Sequence, residues 1–227
     1  MPDYIALYRA YLEQEKHASP NTVSSYVRDL TQFRAWLPQG SDLRRVKPAA
    51  VEEYLAHLTD QGRSAATVTR SAASIKSFYH YLVLSGAMKA SPAKDVAAAK
   101  VERKCPEILT GREVELFLEQ PKCVDEKGYR DHAMLELLYA AGMRVSELIE
   151  LQPIDLDLQR GVVRIFGKGS KERLVPLHDA AVMRMAEYLK IVRPLFTPVE
   201  DRVFLNRSGN GLSRQGVWKL VKRYALE

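Results

Sequence analysis

The stretch AAGMRVSELIEL, from Ala140 to Leu151, contains a break between two predicted helices in the second half of this sequence. It ends an apolar helical run, AMLELLY, at Gly142, and glycine is the residue that most often ends a helix. A new helix then begins with Arg144, although a buried arginine is costly unless it has a partner. Glu147 follows one turn later and is placed to hold the guanidinium. Two interpretations stay open, an arginine that recognises an anion and an arginine paired to a carboxylate for structure alone.

The residues after this stretch change from helical to alternating spacing. GVVRIFGKGSKERLVPL, Gly161 to Leu177, alternates apolar and polar residues on both sides of a glycine-rich tip, which predicts a β-hairpin. The tip is no nucleotide-binding loop, because the Walker pattern needs Ser or Thr after its lysine and here Gly169 follows Lys168. Arginine offers a rigid fork of donors that matches phosphate, and a lysine on a mobile tip offers a transferable proton. Arg144 and Lys168 together predict recognition of an oxyanion.

A domain boundary is predicted just after residue 100. KVERK, residues 100–104, is charged and follows a segment of proline and small residues, which is typical of a linker and places one over residues 101–107. Thr110 and Glu113 have the spacing of a capping box, so a helix opens a second domain over residues 108–227. Beyond the hairpin we expect a helix over DAAVMRMAEYLKIVRPL, a short strand VFLN and a last helix from Ser213.

The first hundred residues contain an internal repeat. SPNTVSSYVRDLTQFRAWL and SAATVTRSAASIKSFYHYL begin at Ser19 and Ser64 and share apolar positions at helical spacing, so both predict amphipathic helices with serine caps. YIALYRAYLEQE and KPAAVEEYLAHLTDQG raise the number of predicted helices to four. The pattern fits a plain four-helix bundle and a nucleic-acid clamp equally well, and both readings stay open.

Composition narrows the class of protein. The 227 residues are 46% hydrophobic and 27% charged, which is typical of a soluble globular protein, and no run is long enough for a membrane span. No signal peptide is recognisable, so we expect a cytoplasmic protein. The 34 Lys and Arg exceed the 28 Asp and Glu by six, which favours phosphate-bearing partners if the excess clusters. Cys105 and Cys123 form no CxxC pair, His132 and His178 are expected at surface or capping positions, and no metal or cofactor is predicted.

The region from Ala140 to Leu177 resembles the first half of the catalytic domain of the tyrosine recombinases, closest to the Xer-type resolvases and their phage-integrase relatives. SPNTVSSYVRDLTQF is similar to the N-terminal core-binding helices of that family, and LTGREVELFL to its domain opening. The resemblance implies a mainly α fold with a small β-hairpin or sheet (α+β). It implies a four-helix, SAM-like core-binding domain over residues 1–100 and a partial catalytic domain over 108–227, which form a C-shaped clamp on duplex DNA.

The resemblance also implies the chemistry. A tyrosine attacks a DNA phosphodiester and forms a 3′-phosphotyrosine, while fixed donors stabilise the charge that develops on the phosphate, without metal or cofactor. Arg144 is expected to bind the scissile phosphate, with Glu147 behind it. Lys168 is expected to protonate the departing 5′ oxygen, with Lys171 as its rival, and Arg173 is expected to contact backbone phosphate. Such a reaction serves either chromosome-dimer resolution or the integration and excision of mobile elements.

The partners implied are double-stranded DNA, further recombinase protomers that form a tetramer on two DNA sites, and, for a chromosome-dimer resolvase, a DNA translocase. Four residues at cap or polar positions of the repeated helices are candidate DNA contacts, and solvated surface is the equally open alternative for each: Asn21, Thr22, Arg70 and Lys76.

The sequence departs from the family pattern at its end. The 227 residues contain no H-x-x-R motif and no tyrosine in the context of the family's nucleophile, and Tyr224 is expected to pack on the last helix beside Trp218. We therefore expect this chain to bind DNA without cleaving it and to be a monomer in solution. A natural DNA-binding remnant or regulator is one alternative. A helical interaction module, whose binding would be insensitive to salt, is the other.

Overall fold

The computed structural model describes residues 2–96, 105, 107–167 and 171–226. The chain divides into two compact units, Met1–Cys105 and Pro106–Glu227. Each unit has a hydrophobic core of its own. The KVERK segment lies outside the described residues.

In its described residues, the first unit forms the four predicted helices: α1 (Tyr4–Gln14), α2 (Pro20–Trp36), α3 (Pro48–Asp60) and α4 (Ala65–Leu84), with a short 3₁₀ turn, Leu43–Arg45, before α3. The two repeated segments begin in the same way. Ser19 and Ser64 each accept a hydrogen bond from the backbone N–H three residues later, at 3.2 and 3.3 Å. Such a side-chain acceptor satisfies a donor that the first helical turn leaves free. The apolar faces of these helices meet in a core that includes the fully buried Phe33 and Phe78.

The second unit is mainly helical with one small sheet. Its helices are α5 (Gly111–Leu118), α6 (Glu126–Ala141), α7 (Val145–Glu150), α8 (Asp179–Glu187) and α9 (Arg214–Tyr224). The predicted capping box opens α5, because Thr110 N–H donates to Glu113 at 2.7 Å and Glu113 N–H donates to the Thr110 hydroxyl at 3.3 Å.

The predicted hairpin forms strands β2 (Val162–Phe166) and β3 (Glu172–Pro176). A third strand, β1 (Leu156–Asp157), pairs with β2, so the sheet is antiparallel with the order β1-β2-β3. The alternation places Val163 and Ile165 on the buried face, while Phe166 and Leu174 remain exposed.

Two predicted elements of this unit differ in the structure. The helix after the hairpin does not stay regular, because α8 continues as a π-helical turn, Tyr188–Val192, and a 3₁₀ turn, Arg193–Phe196. Pro194 lacks the N–H that a longer α-helix would need. The prediction that VFLN, residues 203–206, forms a strand is wrong. Val203 N–H donates to the Leu151 carbonyl at 2.8 Å, and the segment forms only an isolated bridge between Leu205 and Gly211.

The break between α6 and α7 lies where the sequence predicts it. Gly142 has φ 55° and ψ 31°, a left-handed conformation that costs glycine little. Its N–H donates to the Leu138 carbonyl at 3.0 Å, which closes α6, and the chain turns to start α7 after Arg144. This turn determines where Arg144 lies.

Candidate functional site

Arg144 lies at the first position before α7, and its side chain is 75% exposed. The arginine itself is therefore not buried, although it has the carboxylate partner that the sequence predicted. The buried partner is the carboxylate, because the Glu147 side chain is only 6% exposed. Arg144 donates to it from both its backbone and its guanidinium, N to Oε2 at 2.8 Å and Nη1 to Oε1 at 3.1 Å. The result is a guanidinium that is fixed at one edge and open to solvent at the other.

Glu147 binds a second arginine from the sheet. Arg173 of β3 donates Nη1 to Oε1 at 3.0 Å and Nη2 to Oε2 at 2.7 Å, a bidentate pair. The pKa of Glu147 is lowered to about 2, chiefly by the Arg173 hydrogen bonds; burial opposes this shift, and the bonds from Arg144 add to it. The Glu147 carboxylate is therefore ionised at neutral pH.

The base of the hairpin lies against this pair. Gly167 N–H donates to the Lys171 carbonyl at 2.7 Å, which closes the strands below the tip. A Cβ at Gly167 would lie 3.8 Å from Glu147 Oε1 and 3.7 Å from Arg173 Nη1. Lys171 is exposed at this base, whereas the Lys168 prediction falls on residues outside those described.

The other end of α7 is also fixed. Arg202, in the loop before α9, donates to the Glu150 carbonyl and pairs with the Glu150 carboxylate, both at 2.5 Å. With the Val203 bond to Leu151, these contacts hold the last turn of the helix that carries Glu147.

The candidate DNA contacts of the first unit lie in different environments. Asn21 is exposed and Lys76 is half-buried. The Thr22 hydroxyl lies 2.8 Å from the Ser19 hydroxyl and so takes part in the cap of α2. Arg70 is paired with a buried carboxylate, because its Nη1 donates to Asp29 Oδ1 at 2.6 Å and the Asp29 side chain is 4% exposed. This contact links α4 to α2, so the structure gives Arg70 a bond that does not involve DNA.

The Arg173–Glu147 pair is the contact that sequence reasoning missed. Its members are 26 residues apart, and they meet only in the folded unit, where the Arg173 side chain on β3 reaches Glu147 on α7. A signal was present, however. Alternation places Arg173 on the same face as Val175, towards the core, where an arginine needs a buried partner.

The remaining polar candidates have local roles. His178 accepts a hydrogen bond from Ala181 N–H at its Nδ1, which caps α8, and Cys123 Sγ lies 3.4 Å from His132 Nδ1. Both cysteines are free, and within the described residues no three His, Cys, Asp or Glu side chains are grouped so that they could hold a metal ion. In that same part of the chain, no helix is both long and apolar enough to cross a bilayer.

Tyr224 is a buried residue of α9. Its hydroxyl donates to Asp131 Oδ2 at 2.9 Å and accepts from Arg223 Nη2 at 2.6 Å. Burial first, and the Asp131 charge second, raise the pKa of Tyr224 to about 12. Trp218, its expected neighbour, is 61% exposed and is covered in part by the Lys222 ammonium, 5.2 Å from the ring centre.

Solved structures with the same fold include DNA recombinases. A lambda integrase dimer bound to a COC′ core site aligns with a TM-score of 0.77 at 18% identity, over 98% of this chain and 76% of that one. The Tn1549 transposon integrase in complex with transposon right end DNA aligns with a TM-score of 0.77 at 20% identity, over 97% and 78%. XerH bound to its difH substrate aligns with a TM-score of 0.69 at 22% identity, over 97% and 67%.

Sequence comparison identifies the family. Residues 5–86 match the phage integrase N-terminal SAM-like domain, and residues 107–227 match the phage integrase family. Tyrosine recombinase XerD of Staphylococcus epidermidis is 38% identical over 231 residues, which cover 100% of this chain and 78% of that protein. Tyrosine recombinase XerD of Staphylococcus aureus is 39% identical over 231 residues, which again cover 100% of this chain and 78% of that protein. The chain therefore belongs to the phage integrase family, the tyrosine recombinases.

Proposed function

We propose that this protein acts in site-specific DNA recombination of the Xer type and that Arg144 binds the scissile phosphate. The observation that carries the proposal is the geometry of Arg144, whose guanidinium is 75% exposed while its inner edge is fixed to a buried, ionised Glu147. An arginine held in this way presents its free N–H donors to a ligand without losing further side-chain entropy. Its planar fork matches two oxygens of a phosphate.

The chemistry at this site needs charge stabilisation. When a tyrosine attacks a phosphodiester, negative charge grows on the non-bridging oxygens, and donors fixed beforehand stabilise that charge at little reorganisation cost. Arg144 supplies such donors, and Glu147 holds it in place. We assign the proton for the departing 5′ oxygen to Lys168, with Lys171 as the alternative, on the family resemblance.

Duplex DNA is the proposed ligand. The XerH structure contains its difH substrate, the Tn1549 integrase structure contains transposon right end DNA, and a lambda integrase tetramer is bound to a Holliday junction. We propose that this protein also acts on a DNA substrate and assembles with further protomers on it. If its task is chromosome-dimer resolution, a DNA translocase is a further proposed partner. The net charge of +6 is compatible with a phosphate-rich ligand.

The 227-residue chain is proposed to bind DNA as a monomer without forming a covalent adduct. Among its tyrosines, Tyr224 lies nearest to the end of the sequence, but its hydroxyl is bonded inside the unit and its pKa of about 12 keeps it protonated. A natural DNA-binding remnant would behave in the same way. Covalent capture of a nicked duplex by this chain would contradict the proposal.

The test is DNA affinity in matched variants. A duplex is first selected from a randomised pool with the wild-type chain, and its affinity is then measured by fluorescence anisotropy over a range of salt concentrations. We expect Arg144→Gln to weaken binding about tenfold or more, since a charged hydrogen bond contributes about 1.5–3 kcal/mol. It should also lower the slope of log K against log salt by about one.

Arg160→Gln is the control, because Arg160 is 84% exposed on the same unit and its contact with Asp157 is long, at 3.7 Å. It should change the affinity less than twofold, as is usual for surface charges. Binding that does not depend on salt would instead favour a helical interaction module. If the two substitutions weakened DNA binding equally, the proposal that Arg144 binds the scissile phosphate would be wrong.

A further inference from the structure

We propose that Arg173 is a positioning residue that fixes Arg144 through Glu147, and that it thereby couples the β2–β3 hairpin to the phosphate site. This assignment replaces the direct phosphate contact that the sequence suggested for Arg173, and it rests on the proposed role of Arg144.

The first argument is geometric. Glu147 receives four N–H donors, and each of its oxygens receives one from Arg144 and one from Arg173. A carboxylate has about four lone-pair positions, so its accepting capacity is filled. Arg173 supplies the two bonds that act as a parallel fork, and such a fork fixes the plane of the carboxylate as well as its position. The fixed carboxylate plane in turn fixes where the Oε1 lone pair that accepts from Arg144 Nη1 points.

The second argument concerns charge. Both terminal nitrogens of Arg173 are engaged by Glu147, and its side chain is 37% exposed against 75% for Arg144. The two arginines and the carboxylate carry one net positive charge between them. That charge is presented on the more exposed member, Arg144. Arg173 keeps further N–H donors, but both of its terminal nitrogens point at Glu147 and its charge is already paired with a buried carboxylate. Transferring that charge to a phosphate would weaken the pair, and weakening such a pair is costly.

The third argument is connectivity. Arg173 lies two residues after Lys171, whose carbonyl accepts the bond that closes the hairpin. The backbone of Gly167, on the opposite strand, lies beside the Arg173–Glu147 pair. Any displacement of the hairpin base therefore moves Arg173, and Arg173 carries the displacement to Glu147. The hairpin that bears the predicted general acid is in this way tied to the arginine that binds phosphate.

A double-mutant cycle separates positioning from direct contact. We measure DNA affinity, on the selected duplex, for the wild type, Arg144→Gln, Arg173→Gln and the double variant. If Arg173 acts through Arg144, the double variant should bind within about twofold of Arg144→Gln alone. If Arg173 binds a phosphate itself, the two losses should multiply and the salt slope should fall by about one more unit, which would overturn the proposal.

Arg164→Gln is a matched control. Arg164 lies on the neighbouring strand β2, its side chain is also 37% exposed, and it donates twice to a buried carboxylate, Asp155. Like Arg173, it is a partly exposed arginine of the sheet that is paired with a buried carboxylate, but both of its bonds go to Asp155 Oδ1 and it has no link to Glu147. We expect its substitution to change DNA affinity less than twofold; a loss equal to that of Arg173→Gln would show that any such pair in the sheet matters and would overturn the assignment.

A readout without DNA keeps this proposal distinct from the proposed function. The heteronuclear NOE of Arg144 Nε–H should indicate an ordered side chain in the wild type and in Arg164→Gln, and a mobile one in Arg173→Gln. An ordered Arg144 in Arg173→Gln would overturn the proposal, whatever the protein binds. If Arg173→Gln does not fold, Arg173→Lys serves instead, because a single ammonium keeps the charge but cannot form the parallel fork. If Arg144 became mobile in Arg173→Gln but neither the wild type nor any variant bound DNA, the proposed function would be wrong and the positioning role of Arg173 would stand.

Discussion

Glu147 makes the stability of the second unit depend on pH. Its pKa of about 2 in the folded protein lies below its ordinary value of 4.5. A lowered folded pKa stabilises the protein above the unfolded pKa, and this stabilisation is lost as the pH falls through the folded one. We therefore expect Glu147→Gln to lower the free energy of unfolding by about 1 to 3 kcal/mol at pH 7.

The difference between wild type and Glu147→Gln should shrink as the pH is lowered from about 5 to about 2. Urea unfolding at a series of pH values measures it. Asp157→Asn is the control, because the Asp157 side chain is 43% exposed and its ion pair with the Arg160 guanidinium is 3.7 Å long. Asparagine can also keep the 3.0 Å hydrogen bond that Asp157 Oδ1 accepts from the Arg160 backbone N–H. This substitution should have little effect at any pH. A constant difference between wild type and Glu147→Gln across this range would show that Glu147 acts by packing and not by charge.

At the scale of residues, the sequence predicts contacts along one helix better than contacts between elements. The spacing of Arg144 and Glu147 is sufficient to predict their bond, because residues three apart share a helix face. The bond from Arg173 to Glu147 depends on where the tertiary fold places β3 relative to α7, and no spacing in the sequence encodes that. The same holds for Arg70 and Asp29, which are 41 residues apart on two helices.

At the scale of elements, Gly128 shows how α6 is packed at its start. A Cβ at this position would lie 1.8 Å from the Lys122 carbonyl oxygen, which is backbone and cannot rotate away. The Gly128 N–H also donates to Asp125 Oδ1 at 2.8 Å, and this cap holds the first turn of α6 in place against that carbonyl. We expect Gly128→Ala to destabilise the second unit by about 1 to 3 kcal/mol, the usual cost of overpacking. The midpoint and slope of urea unfolding measure the change.

Gly111→Ala is the paired substitution for Gly128→Ala. Gly111 begins α5, its added Cβ would meet nothing within 4 Å, and its φ is not in the left-handed region. Alanine should there be neutral or stabilise by up to about 1 kcal/mol, because it restricts the unfolded chain. If the two substitutions had the same effect, helix propensity and not the Lys122 carbonyl would be the cause.

The periodicity of the sequence predicts the regular elements well. The four helices of the first unit and the β2–β3 hairpin each repeat their apolar positions often enough to be recognised. The two-residue strand β1 is too short to show any period. VFLN has the apolar composition of a strand, and Val203 and Leu205 are indeed fully buried. A short buried segment has this composition whether or not it pairs with a neighbouring strand, so composition alone predicts a strand here wrongly.

At the scale of the whole molecule, the positive charge is divided unequally between the two units. Residues 1–105 contain 15 Lys and Arg against 10 Asp and Glu, a net +5, whereas residues 106–227 contain 19 against 18, a net +1. The second unit uses many of its arginines in pairs with its own carboxylates, as at Glu147, Asp155 and Asp131. The first unit therefore has the larger unbalanced charge.

This division predicts which unit supplies the salt-dependent part of DNA binding. Affinity that comes from released counterions follows the number of phosphates neutralised, and unpaired Lys and Arg neutralise them. We expect a fragment of residues 1–105 to retain most of the slope of log K against log salt shown by the full chain, and a fragment of residues 106–227 to have a shallower slope that Arg144→Gln lowers further. Circular dichroism first establishes that each fragment is folded, as its separate core leads us to expect. A steeper slope for residues 106–227 would mean that local charge at the phosphate site outweighs the overall balance, and the first unit would then contribute shape and position more than electrostatic attraction.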